Sequence, residues 1–342
     1  MSDAVRSNNP LSRRQFVRTL TVQTAAMTTA LASGAGSGLA EKSVFAQQSS
    51  PADPGCPVVD THTHFYDPSR PEGVPWPGKD DPVLYRTVLP AEFEQISRPH
   101  GCVGTVVVEA SPRLADNDWL LQLAAKNPFL LGVVGNLTPG SEMFPEAFER
   151  LAAEPKYRGF RISEQTLRAG LQQPRFLADC RTVAKLGLVI DVNGGPTLLP
   201  DVAALANKIP DLTIVINHLA NVRHDGKTVP EAWQKGIEAA ARAPKVFCKV
   251  SALVESTGLP MDQIPLQPAF YRPIVDVAVR NFGEKRLMFG SDWPVSARYA
   301  NYPVVQKLIT DYFRPHGPDV LKQIFADNAQ AAYRWPQPKK PG

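Results

Sequence analysis

The amino-acid sequence predicts a (β/α)8 barrel, and three observations carry that expectation. Eight short runs rich in β-branched residues alternate with amphipathic stretches across residues 58–336, which is the number and length such a barrel requires. Each run ends in polar side chains, at the end where barrel enzymes place their active sites. No glycine-rich phosphate loop follows the first run, which counts against a doubly wound open sheet.

Ahead of the barrel lies a segment of different composition. The formal net charge of +4 is concentrated in residues 1–46, where Arg6, Arg13, Arg14, Arg18 and Lys42 outnumber Asp3 and Glu41. The body is almost neutral, so nucleic acid and anionic membrane surfaces are not expected partners. Ser12-Arg13-Arg14-Gln15-Phe16-Val17 resembles the twin-arginine export motif, and Val44-Phe45-Ala46 has the small residues a signal peptidase accepts. Residues 1–46 are therefore expected to be a twin-arginine signal peptide, with a periplasmic or secreted destination. Gln23 and several threonines and glycines break the apolar run between Thr19 and Ala40, so no membrane anchor is expected. Residues 47–57 form a Pro/Gly/Ser linker, 58–336 the barrel and 337–342 a tail. The four cysteines show no Cys-x-x-Cys spacing, and Cys102, Cys180 and Cys248 sit in apolar patterns as buried thiols.

The elements follow in order. Pro57–His62 reads as the first strand, and Phe65–Pro90 as a functional loop whose prolines forbid a regular helix. A short helix, Ala91–Arg98, leads to strand Gly104–Glu109. Helix Asp116–Lys126 precedes strand Leu130–Asn136, and helix Pro145–Ala153 precedes strand Arg158–Ser163. Helices Arg175–Leu186, Pro200–Lys208, Glu231–Ala243 and Ala269–Asn281 then lead to strands Leu188–Asn193, Leu212–His218, Val246–Ser251 and Arg286–Asp292. Helices Tyr302–Phe313 and Asp319–Tyr333 close the chain.

Alternate residues of a strand share a face, so Asp60, His62 and His64 point the same way. Counted likewise, the strand ends send inward Glu109, Asn136, Arg161, Ser163, Asp191, Asn193, His218, Lys249, Ser251 and Asp292. Residues of the other parity, such as Val106, Val108, Phe160, Ile162, Ile190, Val192, Val250, Leu287 and Phe289, are apolar and suit packing beneath helices. So many polar groups at one end of a barrel, each needing a partner if buried, indicate a site. Imidazoles that converge are suited to a zinc-like ion.

His62-Thr63-His64, Asn217-His218-Leu219 and Phe289-Gly290-Ser291-Asp292-Trp293-Pro294 together resemble the amidohydrolase superfamily, and within it the branch of sugar-lactone and pyrone-dicarboxylate lactonases. Arg158-Gly159-Phe160-Arg161, Cys248-Lys249-Val250-Ser251 and Phe325-Ala326-Asp327-Asn328-Ala329 are similar to that branch too. The resemblance spans Val58 to Trp335. Arg161 stands where two-metal members carry a bridging lysine or glutamate, and the fifth strand ends without a histidine. A two-metal site is therefore not expected. The resemblance implies one divalent ion, Zn2+ or Mn2+, or catalysis without metal.

What the resemblance implies for chemistry is ester hydrolysis of a small anionic lactone, derived from a sugar acid or an aromatic-degradation product. Asp292 is the expected general base, with His218 also catalytic, and His62, His64, His218 and Asp292 are the expected metal ligands. Arg161 and Lys249 suit a substrate carboxylate, unless salt bridges to Glu109 or Asp191 occupy them. Glu109, Asp191, Ser251 and His224 complete the expected substrate contacts. Tyr66 and Trp76 either wall the pocket or pack the loop down, while His100 and His316 lie in Pro-His-Gly turns away from it. Two other readings compete: a metal-dependent decarboxylase of the same superfamily, whose members usually have a strand-five histidine, and a barrel that binds without catalysis. No serine sits in a Gly-x-Ser-x-Gly setting, which disfavours a serine esterase.

Overall fold

Eight strands pair in chain order, all parallel: β1 Val58–Thr63, β2 Cys102–Val108, β3 Leu130–Asn136, β4 Tyr157–Ser163, β5 Val189–Asn193, β6 Thr213–Ile216, β7 Val246–Val250 and β8 Leu287–Phe289. Helices run between them, giving the (β/α)8 barrel the sequence predicts. This computed structural model describes residues 53–336. The expected leader, residues 47–52 of the linker and the tail 337–342 lie outside the described residues.

Helices Asp116–Lys126 and Tyr302–Phe313 and strand Leu130–Asn136 have the bounds expected of them. Phe160, Ile162, Ile190, Val192, Val250, Leu287 and Phe289 join the cluster that packs strands against helices, with Phe144 and Trp233 among its largest members. Each such side chain contributes about 1.5–3 kcal/mol by leaving water. Val106 and Val108 depart from expectation and pack instead with Val134, Val189, Val215 and Met288. The ladders on both sides of β2 shift register, between Thr105 and Val106 on one side, and a one-residue slip turns a side chain to the other face. Ala332, Tyr333 and Trp335 of the C-terminal segment pack into that same inner cluster.

β1 and β8 meet at a seam held by individual bonds. Asp292 N donates to the His62 carbonyl and His64 N to the Trp293 carbonyl, both at 2.9 Å, while Ser291 N reaches Asp60 Oδ1 at 2.9 Å. Gly290 permits the approach, because a Cβ there would lie 2.9 Å from that of His62. The barrel is therefore closed by the same residues that carry the histidine pair and Asp292. Cys102, Cys180 and Cys248 are buried free thiols, as expected. Among the described residues no helix is long and apolar enough to cross a membrane.

Candidate active site

Three imidazoles converge on one carboxylate oxygen. His64 Nε2 lies 3.4 Å, His62 Nε2 3.5 Å and His218 Nε2 3.8 Å from Asp292 Oδ1. Strand geometry places the first two, since β1 presents alternate residues to one face. The other two sit where the chain turns sharply out of β6 and β8: His218 has φ of 55° and Asp292 of 60°. Left-handed backbone at a non-glycine residue costs about 1–3 kcal/mol and is sustained only where neighbours enforce it.

Each ring is held from behind. His64 Nδ1 donates to the Val108 carbonyl at 2.9 Å, and His218 Nδ1 bonds Ser251 Oγ at 2.8 Å. His62 Nδ1 lies 3.1 Å from Lys249 Nζ, which in turn donates to Asp191 Oδ2 at 2.6 Å; the Tyr333 hydroxyl also donates to Asp191. Burial, aided by Lys249, holds His62 well below the usual histidine range, and burial pulls His218 down to about 4. Both rings are neutral at pH 7. Burial alone would raise Asp292, yet His218, His64 and Arg161 together bring it below the ordinary value, so the carboxylate is ionised. Burial lowers Lys249, and Asp191 opposes that shift.

Above this cluster opens a cavity of about 610 Å³, walled by His64, Trp76, Glu109, Asn136, Thr138, Arg161, Ser163, Thr166, Asn193, His218, Asn221 and Asp292. Trp76 joins the wall and meets His64 edge-on, whereas Tyr66 is buried and ties the loop down through its hydroxyl on the Leu84 carbonyl.

Several expected substrate contacts are displaced by this geometry. Arg161 lines the cavity but is not unpaired: its Nε donates to Glu109 Oε1 and its Nη2 to the Glu109 carbonyl, both at 2.9 Å. Lys249 and Asp191 are fully buried beneath the histidines and touch no cavity surface. Ser251 is buried too and serves His218. His224 is buried against Phe270 and Tyr271 outside the wall. Side chains of the inward parity end at different depths, the long Lys249 among the buried ones, and parity alone does not report depth.

Other residues of the site were given no role from the sequence. Asp60 accepts backbone N–H bonds from His62 and Ser291, and burial raises it to about 7 in spite of them. Glu255 follows β7, with both carboxyl oxygens buried and without a hydrogen bond; burial and then the charge of Asp292 push it well above the carboxylate range. Thr138, Thr166 and Asn221 lie in the segments that directly follow β3, β4 and β6, Thr166 in the first turn of helix Glu164–Gly170, a position that is itself a usable signal in a barrel.

With the geometry in place, the comparisons with known proteins bear on class. Residues 59–335 match the amidohydrolase family, and the chain belongs to it. The chain is 31% identical to an L-fucono-1,5-lactonase of Burkholderia ambifaria over 82% of its own length and 96% of that protein. It is 29% identical to an L-fucono-1,5-lactonase of Burkholderia multivorans, over 73% of this chain and 86% of that one. A crystal structure of an amidohydrolase from Burkholderia multivorans with bound zinc superimposes with a TM-score of 0.72 at 27% identity, covering 82% of this chain and all of that one.

The donor set fits one divalent ion. His62, His218 and Asp292 each bring a ligand atom within 4.8 Å of the others, and His62 Nε2 is a buried nitrogen without a hydrogen bond. Two imidazoles and a carboxylate suit zinc or manganese and leave a coordination position for a reactant.

Proposed function

We propose that this chain hydrolyses a sugar lactone, a neutral polyhydroxylated cyclic ester. The observation that carries the reading is one ionised carboxylate ringed by imidazoles at the floor of a cavity whose wall includes six neutral hydrogen-bonding side chains beside apolar ones such as Leu137 and Ile162. Asn136, Thr138, Ser163, Thr166, Asn193 and Asn221 match ring hydroxyls. Arg161, the guanidinium on that wall, is already neutralised by Glu109, so an acidic lactone gains less from it than a free arginine would give. The similarity to two proteins named as lactonases supports the same class.

In this mechanism Asp292 takes a proton from water as the water oxygen bonds to the lactone carbonyl carbon. The oxyanion that forms accepts hydrogen bonds from imidazole N–H groups. The ring C–O bond then breaks, and the leaving oxygen recovers the proton held by Asp292, giving the open hydroxy acid. A divalent ion held by His62, His218 and Asp292 supplies Lewis-acid polarisation of the carbonyl when bound. The decarboxylase reading draws no support from β5, which ends in Asp191-Val192-Asn193 without a histidine.

The test is a panel of neutral sugar lactones beside an acidic pyrone lactone, each with and without chelator, followed by acid release above the uncatalysed rate. Turnover is expected on neutral sugar lactones, with the acidic pyrone poorer. No turnover on any lactone would overturn the reading, and a preference for the acidic pyrone would overturn its substrate class. Export by the twin-arginine route is likewise proposed, on the motif at residues 12–17. Intact mass of exported protein should show a start at or near Gln47.

A further inference from the structure

We propose that Lys249 is a positioning residue that sets the tautomer of His62 in the metal-free chain, making its Nε2 a hydrogen-bond donor, so that an ion can take that nitrogen as a ligand only by displacing its proton. The catalytic consequence rests on the lactonase reading above; the tautomer itself does not. An ammonium offers three donors and no acceptor, whereas a neutral imidazole carries one of each. Lys249 Nζ stands 3.1 Å from His62 Nδ1 and 2.6 Å from Asp191, with both side chains of that ion pair wholly buried. Asp191 accepts from Lys249 and from the Tyr333 hydroxyl, which marks it as the anion of the pair.

Facing a donor, His62 Nδ1 must accept, so the ring proton lies on Nε2. That nitrogen points into the cluster 3.5 Å from Asp292 and has no other partner. His64, two residues on, has the opposite polarity: its Nδ1 faces the Val108 carbonyl at 2.9 Å and must donate, which leaves the lone pair on Nε2. A metal-bound histidine normally donates its remote N–H to an acceptor. His62 meets an ammonium there instead. The His62, His218 and Asp292 cluster thus has the spacing of a metal site, and Lys249 holds one of its ligands in the wrong tautomer.

The experiment uses metal-free protein with 15N-labelled histidine, in which long-range 1H–15N correlations separate protonated from bare ring nitrogens. Wild type is compared with Lys249→Met and with the double variant Lys249→Met/Asp191→Asn, which removes both buried charges together. The expected wild-type signature is a protonated Nε2 in His62 and a protonated Nδ1 in His64. In a folded variant His62 should lose that preference, zinc affinity from chelator competition should rise roughly tenfold or more, and kcat should fall more than KM changes. A merely structural Lys249 would lower the melting temperature without moving ring shifts or zinc affinity. Protonated Nδ1 in wild-type His62, or unchanged or weaker zinc binding in a folded variant, overturns the proposal. If neither variant folds, the wild-type ring shifts decide it. Neither spectra nor zinc affinity needs a substrate, so failure of the lactone panel would leave these results standing.

Discussion

Arg161 on β4 and Asp191 on β5 are direct partners in the strand ladder, yet they belong to different parts of the molecule. The guanidinium climbs into the cavity wall and bonds Glu109, where the two side chains remain 17% and 15% exposed. The carboxylate of Asp191 pairs with Lys249 at zero exposure. Three more side-chain atoms carry Arg161 to the substrate space, while the short acid at the same level is covered and, with Lys249, becomes part of the frame. The wall can therefore adjust to a ligand, whereas the floor must be satisfied before any ligand arrives.

The largest expected effect lies where floor and wall meet. Asp292→Asn retains shape and removes the proton acceptor, so kcat should drop about 10²–10⁴-fold with a small change in KM. Steady-state kinetics on the preferred lactone check it, and near wild-type kcat would hand the base role to another group.

Next comes the contrast between the two ion pairs. Asp191→Asn leaves the Lys249 ammonium buried without its anion and should destabilise the fold by about 3–5 kcal/mol. Glu109→Gln acts on a pair that water partly screens and should cost less than about 2 kcal/mol, while raising KM up to about tenfold as Arg161 loses its anchor. Urea titrations of the two variants give the comparison directly. Equal losses would mean that depth does not separate frame from wall.

A third expectation concerns acid. His218 is held near 4 in the folded chain against an ordinary 6.5, so between those values the unfolded state binds a proton the folded state does not. Stability then falls as pH drops from 6.5 toward 4, by about 2–3 kcal/mol from this ring. His218→Asn should flatten that part of a melting-temperature profile; parallel profiles for variant and wild type would rule the ring out as the source.

Most of the barrel was legible because its signals are local. Asp116–Lys126 and Tyr302–Phe313 show helical periodicity between clear breaks. The helix Glu164–Gly170 was missed although its signal is present: Ser163 caps it by accepting from the Thr166 N–H. β8 was overextended, since Asp292 leaves the ladder with positive φ that an apolar run does not announce. Strand parity placed the four residues at the centre of the site among a dozen inward polar groups, and the resemblance of their motifs singled them out. Salt bridges from Arg161 and Lys249 to Glu109 or Asp191 were legible as an alternative to substrate binding, but not which acid meets which base, because the pairs lie 52 and 58 positions apart and depend on barrel register.

The smallest effect is expected at Glu255, a buried acid whose carboxyl has no hydrogen-bonding cation among the described residues. Asp191 shows that this barrel pairs an anion it means to keep charged. Glu255 has no such partner, and both burial and the neighbouring charge of Asp292 favour its protonated form. A protonated carboxyl and a carboxamide are close in shape and both neutral, so Glu255→Gln should leave kcat at neutral pH within about threefold. The folded chain holds this proton where the unfolded chain has released it, so wild-type stability declines as pH rises above the ordinary glutamate range. The glutamine variant lacks that decline and should gain on wild type as pH is raised. Paired melting curves from pH 5 to 9 measure the difference. A variant that loses ground toward high pH would show Glu255 ionised in the folded chain, with a cation or ion drawn to it, and would place it with Asp191 in the frame.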